Sequence, residues 1–172
     1  QVNILGTFNV LSAATKPANN PIVIVVTSDK CYRNDGFGIP FRENDPLGGG
    51  DPYSASKAAA EHFAMSFYHT HNVPVTIINS SNNYGPYQHR EKFIPSIVHN
   101  ILSKRKVQVY GQGSQIRDWL YVKDTCTAID AVLKHGKPGE RYCVGGDYAE
   151  MTNLDLVHLI LDMMHGDRNA ID

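Results

Sequence analysis

Apolar residues follow two rhythms along the chain, and the switches between them mark its elements. Val2, Leu5 and Val10 fall at helical spacing, so a helix is predicted over roughly Val2–Ala14, with Pro17 and Pro21 breaking the chain after it. Ile22 to Val26 reads "IVIVV", a short, uniformly apolar run of the kind found in strands buried in a parallel sheet. A Gly/Pro-rich loop follows, from about Asn34 to Asp51, and holds "GGG" at Gly48 to Gly50. Asp51 and Pro52 then open a long helix to about His69, as N-cap and first helical residue. "VPVTIINSS" (73–81) is the next predicted strand and "NNYGPYQHR" (82–90) a loop. A helix over about Glu91–Ser103 precedes a short strand "VQVYG" and the segment "IRDWLYV". Asp124 is placed to cap a helix to about Lys134, "ERYCVGG" reads as a short strand, and Asn153–Met164 is amphipathic. Alternating strands and helices of this length predict a doubly wound parallel α/β sheet. The shorter later elements are expected to leave it and form a small second lobe, with the division at residues 1–107 and 108–172.

Composition narrows the function classes. The 172 residues suffice for a domain with a real core, and the formal net charge of −1 comes from interspersed charges. No basic stripe is present for nucleic acid or an anionic membrane surface, so neither partner is expected. The longest apolar run is about five residues, too short to span a bilayer. The opening "QVNILGTFNVLSAAT" has no basic leader, yet it has no initiator Met and a helical pattern is already under way. The sequence is therefore expected to be part of a longer chain. Three cysteines, Cys31, Cys126 and Cys143, lack the spacing of a disulfide framework or zinc site and suit a reducing cytoplasm. His69 and His71, two apart on a helix, do not share a face, and no metal site is expected.

Two local features carry possible chemistry. The apolar run ends abruptly in Thr27, Ser28, Asp29 and Lys30. Such a cluster marks either an ordinary strand-to-loop boundary or a ligand site, since ligands of open α/β sheets bind at the carboxyl ends of strands. In "DPYSASKAAAEHF", Tyr53 and Lys57 lie four apart on one helix face. This is either a solvated helix start or a catalytic pair. A tyrosine, whose unperturbed pKa is about 10, needs a nearby positive charge to act as a base near neutrality. Ser28 precedes Tyr53 by 25 residues with one loop between them, so strand tip and helix start can meet.

A hydroxyl, a tyrosine and a lysine in this relation resemble the site of short-chain dehydrogenases/reductases of the extended branch. The likeness runs from Gly6-Thr7 to about Leu156 and is strongest to nucleotide-sugar 4,6-dehydratases. "SNNYGPYQHREKFIP" (81–95) and "VYGQGSQIRDWLYVKD" (109–124) resemble the dTDP-glucose type; "VTSDKCY" and "ENDPLGGGDPYSASKAAAE" look more like the CDP-glucose type. The resemblance implies NAD as cofactor and a nucleoside-diphosphate hexose as substrate, dTDP-glucose before CDP-glucose. Tyr53 would take the proton of the sugar 4-hydroxyl, with Ser28 bonding the same oxygen and Lys57 behind. Asp29 would serve as the acid that eliminates water across C5 and C6, and Lys30 stands where the dTDP type carries a glutamate base. A lysine fills that role only when its pKa is depressed. Cofactor contacts would be Tyr53, Lys57 and Asn83. Substrate contacts would be Ser28, Asn82, Lys92, Phe93, Gln108, Tyr110, Arg117 and, with a one-residue shift in spacing, Asn153. On the residues alone, Asn82 and Asn83 are equally a turn and Arg117 a surface ion-pair partner.

The resemblance also implies a Gly-rich first turn for the dinucleotide, and none stands in these residues. "GGG" follows a loop rather than a strand and fails that role. An incomplete Rossmann-type sheet is therefore expected: residues 1–107 as the C-terminal part of an NAD-binding domain, residues 108–172 as mostly a substrate lobe that crosses back to the sheet. Further residues are expected after "HGDRNAID". Other readings are an epimerase or decarboxylase of the same branch, which would not need Asp29 and Lys30, or a noncatalytic remnant of a sugar-nucleotide lobe. Ala60, Phe63, Ala64, Phe67 and Tyr68 form an apolar helix stripe that either packs on its own sheet or, as the resemblance implies, pairs two copies in a homodimer.

Overall fold

The computed structural model describes residues 2–16, 18, 20–36, 38–146 and 151–171. In chain order, a π-helical turn (Val2–Gly6) leads into α1 (Thr7–Ala14), then β1 (Val23–Val26), a 3-10 turn (Asp29–Cys31), α2 (Pro52–His71), β2 (Val75–Ser80), β3 (Asn82–Tyr84) and α3 (Phe93–Leu102). After these come β4 (Ile116–Arg117), β5 (Trp119–Tyr121), α4 (Val122–His135), β6 (Arg141–Val144), β7 (Met151–Thr152), α5 (Asn153–Met163) and a 3-10 turn (Arg168–Ala170). Pro17, expected to end the first helix, lies outside the described residues. Among the described residues, no helix is long and apolar enough to cross a membrane. The chain divides into two compact units, Gln1–Ser81 with Lys123–Gly145, and Asn82–Val122 with Gly146–Asp172. The division expected at residue 107 falls inside the second of these.

The first unit is a parallel sheet of order β1-β2-β6, the Rossmann-type α/β arrangement expected. Val23 pairs with Val75 and Val26 with Ile78, and β6 joins through Ile77–Arg141 to Ser80–Val144. Two parallel neighbours require a crossover; the loop after β1 and helix α2 supply it. All six residues of β2 are buried, as its central position dictates. β1, expected to be fully buried, is instead an edge strand of the described sheet, with Val26 42 % exposed. Asp51 caps α2, its Oδ1 accepting from the amides of Tyr53 (2.9 Å) and Ser54 (3.0 Å), and Asn72 ends the helix in the left-handed region (φ +55°). The helix runs two residues beyond the expected end. Its apolar stripe is used within the unit: Ala64 and Phe67 join Leu11, Val73, Val75 and Ile77 in the core, with Phe63 and Tyr68 packed alongside. Phe8 of α1 meets the rings of Phe63 and Phe67 edge-on, each at 5.6 Å.

The second unit pairs β3 with β5 in parallel and β4 with β7 antiparallel. Its core gathers Ile97 of α3, Val107, and Leu156, Val157, Ile160 and Leu161 of α5. Residues 82–84, read as loop, form β3. The expected strand at "VQVYG" is absent: Val107 makes one isolated bridge to Ile171, and the chain turns through Gly111 and Gly113 at positive φ. Helix α4 begins at Val122, so Asp124 lies in its first turn rather than at its cap.

Candidate active site

The polar run after β1 folds into a tight turn. Ser28 is its N-cap: the Oγ accepts from the Lys30 amide (3.3 Å) and donates to Asp29 Oδ1 (2.9 Å). Ser28 and Asp29 are half-buried and Lys30 exposed. Helix α2 packs against this turn and presents Tyr53, 48 % exposed, and the half-buried Lys57 on one face. Lys57 Nζ donates to the carbonyl of Val26 (3.4 Å), the last residue of β1, so the Tyr-Lys face reaches the strand tip. The hydroxyl and amide of Ser54, then the Tyr53 amide and the Lys30 ammonium, hold the Asp51 carboxyl below its ordinary value. All five expected catalytic side chains thus belong to one unit and two adjoining elements.

The "GGG" run helps make this arrangement. A Cβ at Gly49, whose φ is +146°, would stand 2.6 Å from the Ala55 Cα, and one at Gly48 2.6 Å from the Arg33 Cα. The loop end therefore lies tight against both the start of α2 and the chain leaving the turn. Backbone bonds from Gly48 to Cys31 (2.7 Å) and from Arg33 to Pro46 (2.9 Å) fasten it there.

Below the turn lies a buried polar cluster that sequence reading does not single out. Glu61, 0 % exposed, accepts from Thr27 Oγ1 (2.6 Å), Asn79 Nδ2 and Arg141 Nε (3.0 Å). Tyr32 Oη donates to Asn79 Oδ1 (3.0 Å) and lies 3.3 Å from Cys143 Sγ, with its ring stacked on Phe41. Burial first, then the hydrogen bond with Glu61, pushes the Cys31 thiol up to about 12. Burial likewise raises the Tyr32 phenol and the Cys143 thiol. Cys31 is fully buried and Cys143 half-buried. The spacing from Lys57 to Glu61, one further helical turn on the same face, was the available signal.

The expected substrate and cofactor contacts at 82–153 lie in the second unit. Asn82 and Asn83 sit on β3 opposite Trp119 and Leu120, half-buried, and the Asn83 carbonyl accepts from Gln88 Nε2 (2.8 Å). Lys92 precedes α3, exposed and 3.5 Å from Glu91 Oε1; Phe93 stacks on Trp119 with centroids 6.0 Å apart. Gln108 is exposed and Tyr110 is 82 % exposed. The guanidinium of Arg117 on β4 donates to the Ile116 carbonyl (3.1 Å) and, among the described residues, has no carboxylate partner. Asn153 opens α5; its Nδ2 reaches Gln115 Oε1 at 3.5 Å, while its Oδ1 is buried without a hydrogen-bond partner among the described residues.

Comparison with known proteins covers nearly the whole chain. A family model described as GDP-mannose 4,6 dehydratase matches residues 1–169. A probable dTDP-glucose 4,6-dehydratase of Sinorhizobium fredii is 42 % identical over 168 residues, covering 93 % of this chain and 48 % of that protein. The crystal structure of dTDP-glucose 4,6-dehydratase from Bacillus anthracis in complex with NAD superposes with a TM-score of 0.93 at 40 % identity, over 99 % of this chain and 54 % of that one. The dTDP-glucose 4,6-dehydratase DesIV of Streptomyces venezuelae, with NAD and TYD bound, gives 0.90 at 35 % identity, over 99 % of this chain and 52 % of that one. The chain spans about half the length of the curated relatives it matches.

Proposed function

The chain belongs to the GDP-mannose 4,6 dehydratase family, and from that premise we propose that the full-length protein dehydrates a nucleoside-diphosphate hexose to its 4-keto-6-deoxy form, using NAD. The observation that carries this reading is the bond from Lys57 to the Val26 carbonyl, which joins the Tyr53–Lys57 helix face to the strand tip bearing Ser28, Asp29 and Lys30. An epimerase needs the tyrosine and lysine but no acid and base at 29 and 30. The residues present suit the nicotinamide end of NAD, because an accessible phenol and an ammonium stand one helical turn apart on the face against the strand tip. NAD, when bound, supplies a hydride acceptor for C4 and returns the hydride at C6, so the cofactor is regenerated within each turnover.

The chain's own groups divide the remaining work. Tyr53 accepts the proton of the sugar 4-hydroxyl, and Lys57 favours the phenolate that makes it a base. Ser28 hydrogen-bonds the same sugar oxygen, turning its hydroxyl away from Asp29. Once the bound sugar covers and desolvates its exposed amine, Lys30 removes the C5 proton, acidified by the 4-keto group, and Asp29 protonates the departing 6-hydroxyl, so one water leaves; Lys30 returns its proton to C5 as the hydride arrives at C6. Asn83 contributes a cofactor contact. Asn82, Lys92, Phe93, Gln108, Tyr110, Arg117 and Asn153 hold the nucleotide and diphosphate, with Arg117 offering its planar fork to phosphate oxygens. In domain terms, the unit Gln1–Ser81 with Lys123–Gly145 carries the groups acting on the hexose, and the unit Asn82–Val122 with Gly146–Asp172 carries most of the substrate contacts.

Incubating the full-length protein with dTDP-glucose and following the product by NMR tests the reading. A 4-keto-6-deoxy product supports it; an epimer that keeps its 6-hydroxyl, or unchanged sugar, overturns it. We also propose a cytoplasmic homodimer. The three cysteines are all free, as in a reducing compartment, and Val2, Leu5 and Val10 expose an apolar edge along the first helix. Light scattering of the full-length protein at micromolar concentration is expected to give twice the chain mass, and the mass of one chain removes the dimer.

A further inference from the structure

Glu61 lies eight residues beyond Tyr53 and four beyond Lys57 on α2, so the three side chains follow one helix face. Its carboxylate takes one hydrogen bond from each strand region of the sheet: Thr27 directly after β1, Asn79 on β2 and Arg141 on β6. Thr27 is the residue before Ser28. Asn79 Nδ2 also donates to Thr27 Oγ1 (2.8 Å), and Asn79 Oδ1 accepts from Tyr32, the residue directly after the turn. Both ends of the Ser28–Cys31 turn are thus tied to the group that also holds the helix. A fully buried carboxylate is costly to desolvate, and its ion pair with Arg141 is a weak source of stability compared with apolar packing. What a fully bonded buried charge provides is a single geometry.

We propose that Glu61 is a positioning residue for the reaction at the strand tip, fixing helix α2, and with it Tyr53 and Lys57, against the Ser28–Lys30 turn. This rests on the dehydratase reading for its chemistry but on the hydrogen bonds alone for its geometry. A misplacement of roughly 1 Å in such a constellation can cost about a hundredfold in rate without touching the reacting groups. Glu61→Asp keeps the charge and withdraws the carboxylate by one methylene. Thr27→Val keeps the side-chain volume and removes the hydroxyl that bonds Glu61.

The experiment compares both variants with wild type in the full-length protein by steady-state kinetics and by amide hydrogen exchange at residues 27–32. Each variant is expected to lose about tenfold or more in kcat with KM for the sugar nucleotide within about twofold, the split of a group that orients rather than binds. Exchange in the 27–32 segment is expected to rise about tenfold in both, while that of β2 stays at the wild-type level. A folded Thr27→Val protein with wild-type kcat and wild-type exchange overturns the proposal, and this variant decides if Glu61→Asp does not fold. Should wild type fail to dehydrate any nucleoside-diphosphate hexose, the dehydratase reading falls. The exchange data then decide the anchoring by themselves: faster exchange upholds it and unchanged exchange ends it.

Discussion

At the residue scale, Tyr53 and Asp29 are proposed to serve different steps, so their loss should be distinguishable. Tyr53→Phe removes the group that takes the 4-hydroxyl proton, and general-base loss of this kind costs about 10²–10⁴-fold. Turnover should fall by that factor with no NADH formed, as followed by absorbance; full turnover would count decisively against Tyr53 as the base. Asp29→Asn leaves oxidation at C4 possible but removes the acid for the 6-hydroxyl. Transient NADH should then accumulate while loss of water slows by roughly the same range. Dehydration at the wild-type rate would remove Asp29 from the mechanism. These residues could be singled out because their types and spacing allow chemistry, and the family resemblance supplied the roles proposed for them. Glu61 could not be. Its partners stand 34, 18 and 80 residues away, in three separate strand regions, so beyond its one-turn spacing from Lys57 nothing local distinguishes it from a solvated helix glutamate.

At the element scale, the legible parts were those with a sustained pattern. β2 and α2 follow from an apolar run and from a capped helix of twenty residues, and the parallel pairing of β1 with β2 follows from their alternation with helices. β3, β4 and β7 were not legible, because strands of two or three residues have no period, and Asn82-Asn83 has low strand propensity. Their pairing is decided by partners distant in sequence, such as Trp119 and Met151. The start of α2 is where an element sets the site, since its first turn carries Tyr53. Asp51 is held below its ordinary value chiefly by Ser54, so its contribution to stability is present above the unfolded carboxyl value of about 3.9 and is lost as pH falls through the lower folded value. Asp51→Ala is therefore expected to lower the thermal midpoint at pH 7, and the gap from wild type should close as the pH drops below about 4. Melting curves across that range check it; a gap that stays constant to low pH would mean the cap acts through something other than its charge.

At the scale of the whole molecule, the two kinds of family likeness separate along the two compact units. "VTSDKCY" and "ENDPLGGGDPYSASKAAAE", which resemble the CDP-glucose type, lie in the first unit and surround the groups proposed to act on the hexose. Most of the two strings resembling the dTDP-glucose type lies in the second, which carries Asn82, Lys92, Tyr110 and Arg117. The hexose is the same in both substrates, so residues around its reacting carbons cannot tell the nucleotides apart, and the choice belongs to the groups proposed to touch base and diphosphate. The full-length protein is therefore expected to show a higher kcat/KM for dTDP-glucose than for CDP-glucose. Arg117 gives this an internal control. Its guanidinium is proposed to hold phosphate oxygens, which both substrates share. Arg117→Lys, which replaces a two-pronged donor by a point charge, should raise KM about tenfold for both sugar nucleotides and leave kcat and their ratio nearly unchanged. Steady-state rates with the two substrates decide it. A higher specificity constant for CDP-glucose would move nucleotide selection to the first unit, and a ratio that shifts in Arg117→Lys would make Arg117 a reader of the base instead of the diphosphate.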